Sequence, residues 1–401
     1  MSRKKIGLFL DPLPHTGGTF QYNQTILEAV AALPSDRYDV VVACTSDTWL
    51  EQVNKYAVKS IVIKYGFTAR VFGILVNYFN IPLRLCQKLS PLFQTTARSL
   101  LREKCDLWIF PSQDVLSYQA PLPSLVTVLD LAHRYEKHFA ESASKSEYLI
   151  RERTYSSICV WSRGVLVQTG LGRRQVVDAY GMPAEKIHIL PLVAPGHIYA
   201  DTPPAGFSER YRLPPKYLFY PAQFWEHKNH RNLLAAMAQI KNELPDLNLV
   251  LAGSKKNAYE AVLQQVKESD LTNDVTILGY VPDEDIPELY RRARALVMPT
   301  FFGPSNIPPL EAAVLGCPIA ISNVSSMPEQ LGNAALIFDP DSVDEIADCI
   351  RTLWSDDPLC ARMAAEAKSR VSAWGQSEFN ARLHQIVAEI TAAPSASEAA
   401  A

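Results

Sequence analysis

The sequence is most informative at first for what it does not contain. None of its seven cysteines (44, 86, 105, 159, 317, 349 and 360) forms a Cys-x-x-Cys pair. That removes zinc knuckles and thioredoxin-type redox motifs, and points to free thiols in a reducing compartment. No His/Cys/carboxylate cluster of metal-ligand spacing is read in the sequence, so no metal site and no bound cofactor is expected. No apolar stretch approaches the roughly 18 residues needed to cross a bilayer. The first residues, Met1–Lys5, pass directly into the apolar Ile6–Leu10 without a leader-like segment, and the expected location is the cytoplasm. Nor is there an excess of positive charge: 39 Lys and Arg face 42 Asp and Glu, a net charge of -3. A general nucleic-acid binder is excluded on that ground, but a small anionic ligand in a local basic pocket is not.

What is present is a globular composition, 48% hydrophobic and 20% charged, over 401 residues. That length suits two domains of about 150–200 residues each. Short Val/Ile/Leu-rich runs alternate with helical patterns. The first half offers strands at Ile6–Leu10, Val40–Cys44, Ile61–Ile63, Leu107–Phe110, Leu125–Leu129 and Val165–Val167. The second offers Tyr217–Tyr220, Leu247–Ala252, Val275–Leu278, Ala295–Met298, Pro318–Ile321 and Ala335–Phe338. Between them lie helices such as 23–33, with Ile26, Leu27, Val30 and Leu33 on one face. Fully apolar strands separated by helices predict parallel sheets covered on both faces, with ligands beyond the carboxyl ends of the strands. Pro191, Pro195, Pro203, Pro204, Pro214 and Pro215 interrupt the rhythm and read as a linker. The expected organisation is an N-terminal domain over 1–200, a C-terminal domain over 205–375, a helix over 376–391 that returns to the N-terminal domain, and a disordered Ala/Ser/Pro-rich tail over 392–401.

Five segments carry chemistry. Pro299-Thr-Phe-Phe-Gly-Pro-Ser-Asn-Ile-Pro-Pro-Leu-Glu311 follows an apolar strand and opens a helix near Pro309. Proline suits a first helical position, and the helix N–H groups make the preceding loop an anion site. A glutamate one turn in either complements the helix dipole or accepts from sugar hydroxyls. Tyr220-Pro-Ala-Gln-Phe-Trp-Glu-His-Lys-Asn229 puts Lys228 in a strand–helix loop, where a lysine either pairs with phosphate or is merely solvated. Gly279-Tyr-Val-Pro282 is a strand-to-helix turn. Gly17-Gly18 lies in the first strand–helix crossover, where glycine lets the backbone approach a ligand. Val128–Tyr135 sets Asp130 and His133 three residues apart in a loop, spaced to orient each other or bind hydroxyls. Arg173-Arg174 and Lys255-Lys256 read as solvated faces.

Taken together these segments resemble glycosyltransferase family 4. Ile307, Pro308, Leu310, Glu311, Ala312, Gly316 and Pro318 match the end of its Glu-x7-Glu region, in a variant form that reads Gly-Pro-Ser-Asn-Ile-Pro-Pro-Leu-Glu-Ala. Lys228 and Asn229 match its phosphate loop, Gly17-Gly18 its N-terminal glycine loop, and Asp130, Leu131 and His133 its His-Asp-Leu-x-His stretch. Three positions depart: Gly303 stands where the family has its first Glu, Gln223 where it has Arg, and Leu129 where it has the first His.

The resemblance implies an α/β GT-B fold, two doubly wound Rossmann-like domains facing a central cleft. It implies a metal-independent, retaining transferase that moves a hexosyl unit, mannosyl as the first reading, from a nucleotide diphosphate sugar. The acceptor is then a saccharide or glycolipid, and the pathway bacterial surface-polysaccharide synthesis. It further implies that Asp130 and His133 act at the reacting sugar. The donor falls to Gly17, Gly18, Gln223, Lys228, Asn229, Val281, Ser305, Asn306, Ile307, Pro308 and Glu311. A sugar-nucleotide epimerase on the same fold and a catalytically silent binding subunit remain alternatives. The basic, aromatic segment 70–102 is read either as a peripheral contact with the inner face of the plasma membrane or as a packed helix pair.

Overall fold

The computed structural model describes residues 3–13, 16–63, 82–136, 139, 145–303 and 305–392. Two compact units emerge. The first comprises Met1–Tyr135, Ser144–Pro191 and Gln376–Ala401; the second comprises Glu136–Ala143 and Leu192–Gly375.

The first unit is a seven-stranded, all-parallel sheet in the order β3-β2-β1-β4-β5-β6-β7. Its strands are β1 Lys4–Leu10, β2 Tyr38–Cys44, β3 Lys59–Val62, β4 Leu107–Phe110, β5 Ser124–Thr127, β6 Gly164–Val167 and β7 Ile187–Ile189. The strands β4, β5 and β6 are buried throughout, as apolar runs covered on both faces must be. β7 has no counterpart in the sequence reading. Its three residues, Ile-His-Ile, are too short to carry a period. The last described helix, Gln376–Ala392, packs on the first, Gly18–Ala31. Gln376 donates to Thr25 O at 3.3 Å, and His384 Nε2 lies 2.7 Å from Ala29 O.

The second unit is a six-stranded, all-parallel sheet in the order β10-β9-β8-β11-β12-β13. Its strands are β8 Leu218–Pro221, β9 Leu249–Ala252, β10 Val275–Gly279, β11 Ala295–Met298, β12 Ile319–Ser322 and β13 Leu336–Phe338. The proline-rich stretch read as a linker belongs largely to this unit. It carries a one-turn helix, Gly196–Tyr199, and buries Ile198 and Phe207 in the unit's core. Its prolines break helical periodicity but do not keep it off the core.

In each sheet the strand order reverses once, between β1 and β4 and between β8 and β11. A doubly wound sheet opens its ligand crevice beyond the carboxyl ends of strands at such a point. Among the described residues no helix is long and apolar enough to cross a membrane. Pro14, His15, the 70–81 part of the basic segment, Pro304 and the tail beyond 392 lie outside the described residues.

Candidate functional site

The two loops that flank the β8/β11 reversal are bonded into one piece. The loop after β8 ends in a single turn, Glu226–Lys228. The His227 carbonyl accepts from Phe301 N at 2.8 Å and lies 3.1 Å from Thr300 Oγ1 in the loop after β11. The Lys228 carbonyl accepts from the Tyr220 hydroxyl at 2.9 Å. Asn229 is buried, takes a left-handed φ of 57°, and caps the helix His230–Ile240 through Asn232 N. Its amide also donates to Pro299 O and Pro340 O, each at 2.9 Å. The Asn229 side chain is therefore committed to the scaffold. It braces the lysine loop against the ends of β11 and β13.

Gln223, at the family's arginine position, accepts from the Trp225 indole N–H at 2.9 Å. His230 is also structural: it stacks on Phe224 (4.6 Å, 16°), and burial pushes its imidazole down to about 3.

Gly303 explains why the expected glutamate is missing. Its φ is 152°, a region nearly closed to side-chain-bearing residues. A Cβ there would stand 2.4 Å from Asn306 Nδ2. Asn306 is buried, and its carbonyl accepts from Gln330 Nε2 at 2.9 Å. Gly303 and Asn306 thus form a matched pair: the amide fills the space into which a side chain at 303 would project. Ser305 is half-buried, and Ile307 caps the helix Pro308–Leu315.

Glu311, in the first turn of that helix, is only 4% exposed. Its Oε2 accepts from the Tyr290 hydroxyl at 2.9 Å. Burial pushes the carboxyl up to about 7; the tyrosine donor counteracts this, and Asp283 adds to it. His197 Nε2, from the one-turn helix Gly196–Tyr199, lies 3.8 Å from Glu311 Oε1. Neither Tyr290 nor His197 was singled out in the sequence. Tyr290 sits in an ordinary amphipathic helix, Ile286–Arg292, and His197 in the proline-rich stretch. In the turn after β10, Val281 is buried in the core while Tyr280 stands 58% exposed.

At the β1/β4 reversal of the first unit, Gly17 takes φ 62° and ψ -125°, a glycine conformation, at the cap of the helix Gly18–Ala31. Its carbonyl accepts from Phe20 N at 2.8 Å. Asp130, beyond β5, is half-buried and accepts from Ala132 N at 2.9 Å. His133 is 1% exposed and bonds through Nε2 to Glu152 Oε1 at 2.8 Å. Arg134 grips the same carboxylate in a fork, 2.6 and 2.5 Å, and Tyr180 donates to it at 3.1 Å. Burial lowers the His133 imidazole below its ordinary value, with Glu152 opposing. Asp130 and His133 therefore share a loop but not a role: one is half-open, the other locked into a buried polar cluster.

Comparison with known proteins bears on the same residues. Residues 207–370 match the family model "Glycosyl transferases group 1". O-antigen chain mannosyltransferase B of Escherichia coli is 32% identical over 212 residues, 51% of this chain and 56% of that protein. The chain thus spans little more than half of that relative's length. Sucrose-phosphate synthase of Thermosynechococcus elongatus superposes with a TM-score of 0.74 at 18% identity, covering 98% of this chain and 100% of that one. HepE of Anabaena, in complex with UDP-glucose, gives 0.71 at 18% identity over 96% and 99%. At such identities the structural likeness concerns the fold, which is GT-B. Residues 207–370, with Lys228 and Glu311 among them, are thus similar to the group 1 glycosyl transferases.

Proposed function

We propose that this protein transfers a hexosyl unit, mannosyl as the first reading, from a nucleotide diphosphate sugar to a saccharide or lipid-linked saccharide, with retention at the anomeric carbon. The observation that carries the reading is the bonded pair of loops at the β8/β11 reversal. It joins the loop that carries Lys228 to the loop that leads into the helix of the buried Glu311. In this reading Lys228 and the N–H groups of Ser305, Asn306 and Ile307 offset the charge that develops on the departing diphosphate, and Pro308 sets the turn into the helix. Glu311 accepts from the donor's ribose, and the backbone at Val281 meets the base. The Gly17–Gly18 amides add to the phosphate contacts, and Asp130 orients a sugar hydroxyl. His133, buried and bonded to Glu152, supports the Asp130 loop from below.

The mannosyl reading and the setting in bacterial surface-polysaccharide synthesis draw on the Escherichia coli relative, an O-antigen chain mannosyltransferase. A lipid-linked acceptor is supported by the helix Leu83–Phe93, which exposes Leu85, Leu92 and Phe93 beside exposed Arg84 and Lys88.

Calorimetric titration against GDP-, UDP- and ADP-linked hexoses tests the reading. One donor should bind, and Lys228→Ala and Glu311→Ala should each weaken it while the far-ultraviolet spectrum stays unchanged. Absence of binding by every donor, or variants that bind like the parent, would overturn it. Donor converted without acceptor would identify an epimerase instead.

A further inference from the structure

Gln330 lies in the short helix Met327–Leu331, which none of the five sequence segments contains, yet it reaches the loop after β11. Its Nε2 donates to the Asn306 carbonyl at 2.9 Å. Only the nitrogen of the amide can face a carbonyl, so the orientation of the side chain is fixed. Gln330 Oε1 is buried with no hydrogen-bond partner. An orphaned acceptor of that kind is destabilising, and its retention calls for a reason.

The helix that carries Gln330 is pinned from its other end. Arg370, on the exposed end of the helix Asp357–Ser372, donates from Nε to the Gln330 carbonyl at 3.1 Å and from an Nη to the Glu329 carbonyl at 2.9 Å. These are last-turn carbonyls, which a helix leaves without internal partners. Gly332 follows with a φ of 57°, and a Cβ there would stand 3.1 Å from the guanidinium.

Peptide geometry shows what the bond to Asn306 controls. The Asn306 carbonyl and the Ile307 N–H belong to one planar trans unit and point in opposite directions. Drawing the carbonyl to Gln330 aims the Ile307 N–H away from it. That N–H is the last before the helix Pro308–Leu315. Pro308 and Pro309 have none, and those of Leu310 and Glu311 both turn back to the Ile307 carbonyl. Among the described residues the Ile307 N–H makes no hydrogen bond. The Asn306 side chain, 3.5 Å from the Gly303 carbonyl, steadies the same turn.

We infer that Gln330 is a positioning residue for the diphosphate: it holds the peptide between Asn306 and Ile307 so that the Ile307 N–H faces the leaving group. Arg370 acts behind it by holding the helix that carries it. The inference rests on the donor reading above, in which the N–H groups of this loop meet the diphosphate.

The test is calorimetry of the full chain with GDP, UDP and ADP, and with the nucleoside of whichever binds as a displacing competitor. Gln330→Glu keeps the shape and removes the N–H donor; Gln330→Ala removes both. Each should weaken the diphosphate about tenfold, the worth of one good hydrogen bond, and leave the nucleoside unchanged. Arg370→Ala should weaken the diphosphate in the parent background but not in Gln330→Ala, because it acts through Gln330. A merely structural glutamine lowers the unfolding midpoint without touching the preference for diphosphate over nucleoside. That outcome overturns the inference, as does an additive loss from Arg370→Ala. If the parent binds none of the three nucleotides, or binds each no better than its nucleoside, the donor reading itself has failed. A readout on the unmutated protein guards against a misfolded variant. With isotope-labelled isoleucine, the Ile307 amide resonance should move on adding the diphosphate and stay on adding the nucleoside. A resonance that ignores the diphosphate, or answers both alike, overturns the inference.

Discussion

At the β8/β11 reversal of one sheet, the loops carry Glu226 and Lys228 and a proline-started helix whose Glu311 carboxyl is buried. At the β1/β4 reversal of the other, and on β5 beside it, the strand ends carry Asp11, Asp114 and Asp130. Asp11 accepts from Thr45 Oγ1 at 2.7 Å and Asp114 from Leu116 N at 2.7 Å. Burial, with Asp11 alongside, pushes the Asp114 carboxyl up to about 7. The winding is the same and the chemistry nearly opposite. Strand order decides where a ligand lies; the side chains in the loops decide which one. On this reading the side-chain cation that meets an anion sits in the second unit, while the side chains of the first, Asp130 among them, suit neutral hydroxyls.

Four experiments sharpen or break that contrast. The largest effect is expected from acid–base linkage at Glu311. Its carboxyl titrates near 7 when folded, against an ordinary 4.5. The folded chain therefore holds a proton that the unfolded chain releases. This contribution is full below about 4.5 and is lost as pH rises through about 7, by up to about 3 kcal/mol. Denaturant unfolding of parent and Glu311→Gln at pH 5 and pH 8 should show the parent losing more than the variant. The difference between the two isolates Glu311 from His133, His188 and His230, whose lowered values act in the opposite direction. Equal pH responses would mean the carboxyl is not buried as described.

Next comes Gly303→Ala, which combines a forbidden φ with the contact on Asn306. It should cost about 2 kcal/mol of stability and weaken nucleotide binding. Adding Asn306→Gly should relieve the contact but not the backbone strain, and restore only part of the stability. Full recovery would place the whole cost in the contact.

Lys228→Ala should weaken nucleoside diphosphate binding about 30-fold, as expected for loss of one charge-assisted interaction of about 2 kcal/mol. Smallest on donor affinity is Asp130→Asn: a change within about twofold, with a clear fall in turnover once an acceptor is found. If it weakens the donor as much as Lys228→Ala does, the division of labour between the two edges is wrong.

How far this was legible in advance depends on the length scale of each signal. Leu107–Phe110 and Ala295–Met298 are runs of four apolar residues, and the structure reproduces their bounds. Proximity in three dimensions leaves no such mark. Tyr290 donates to a carboxylate 21 residues onward, and nothing in Ile-Pro-Glu-Leu-Tyr announces it. His197 was hidden by prolines that suggested a linker. Gly303 was visible as a missing glutamate, but only the position of the Asn306 amide explains why no side chain fits. For Asn229 and His133 the motif marked the residues, but not their bonds to Pro299, Pro340 and Glu152, which join positions far apart in sequence.

The helix Gln376–Ala392 has a consequence for synthesis. Phe379, Leu383, Ile386 and Val387 are buried in the unit that begins at the other end of the chain. During translation the earlier parts of that unit emerge before the second unit, yet lack this layer until residues 376–392 have been made. The second unit lies in one nearly continuous stretch and suffers no such delay. Domains made early commonly fold early, but here residues 376–392 must be made before the first Rossmann layer can close. Until then the helix Gly18–Ala31 lacks the partner that covers it in the folded unit.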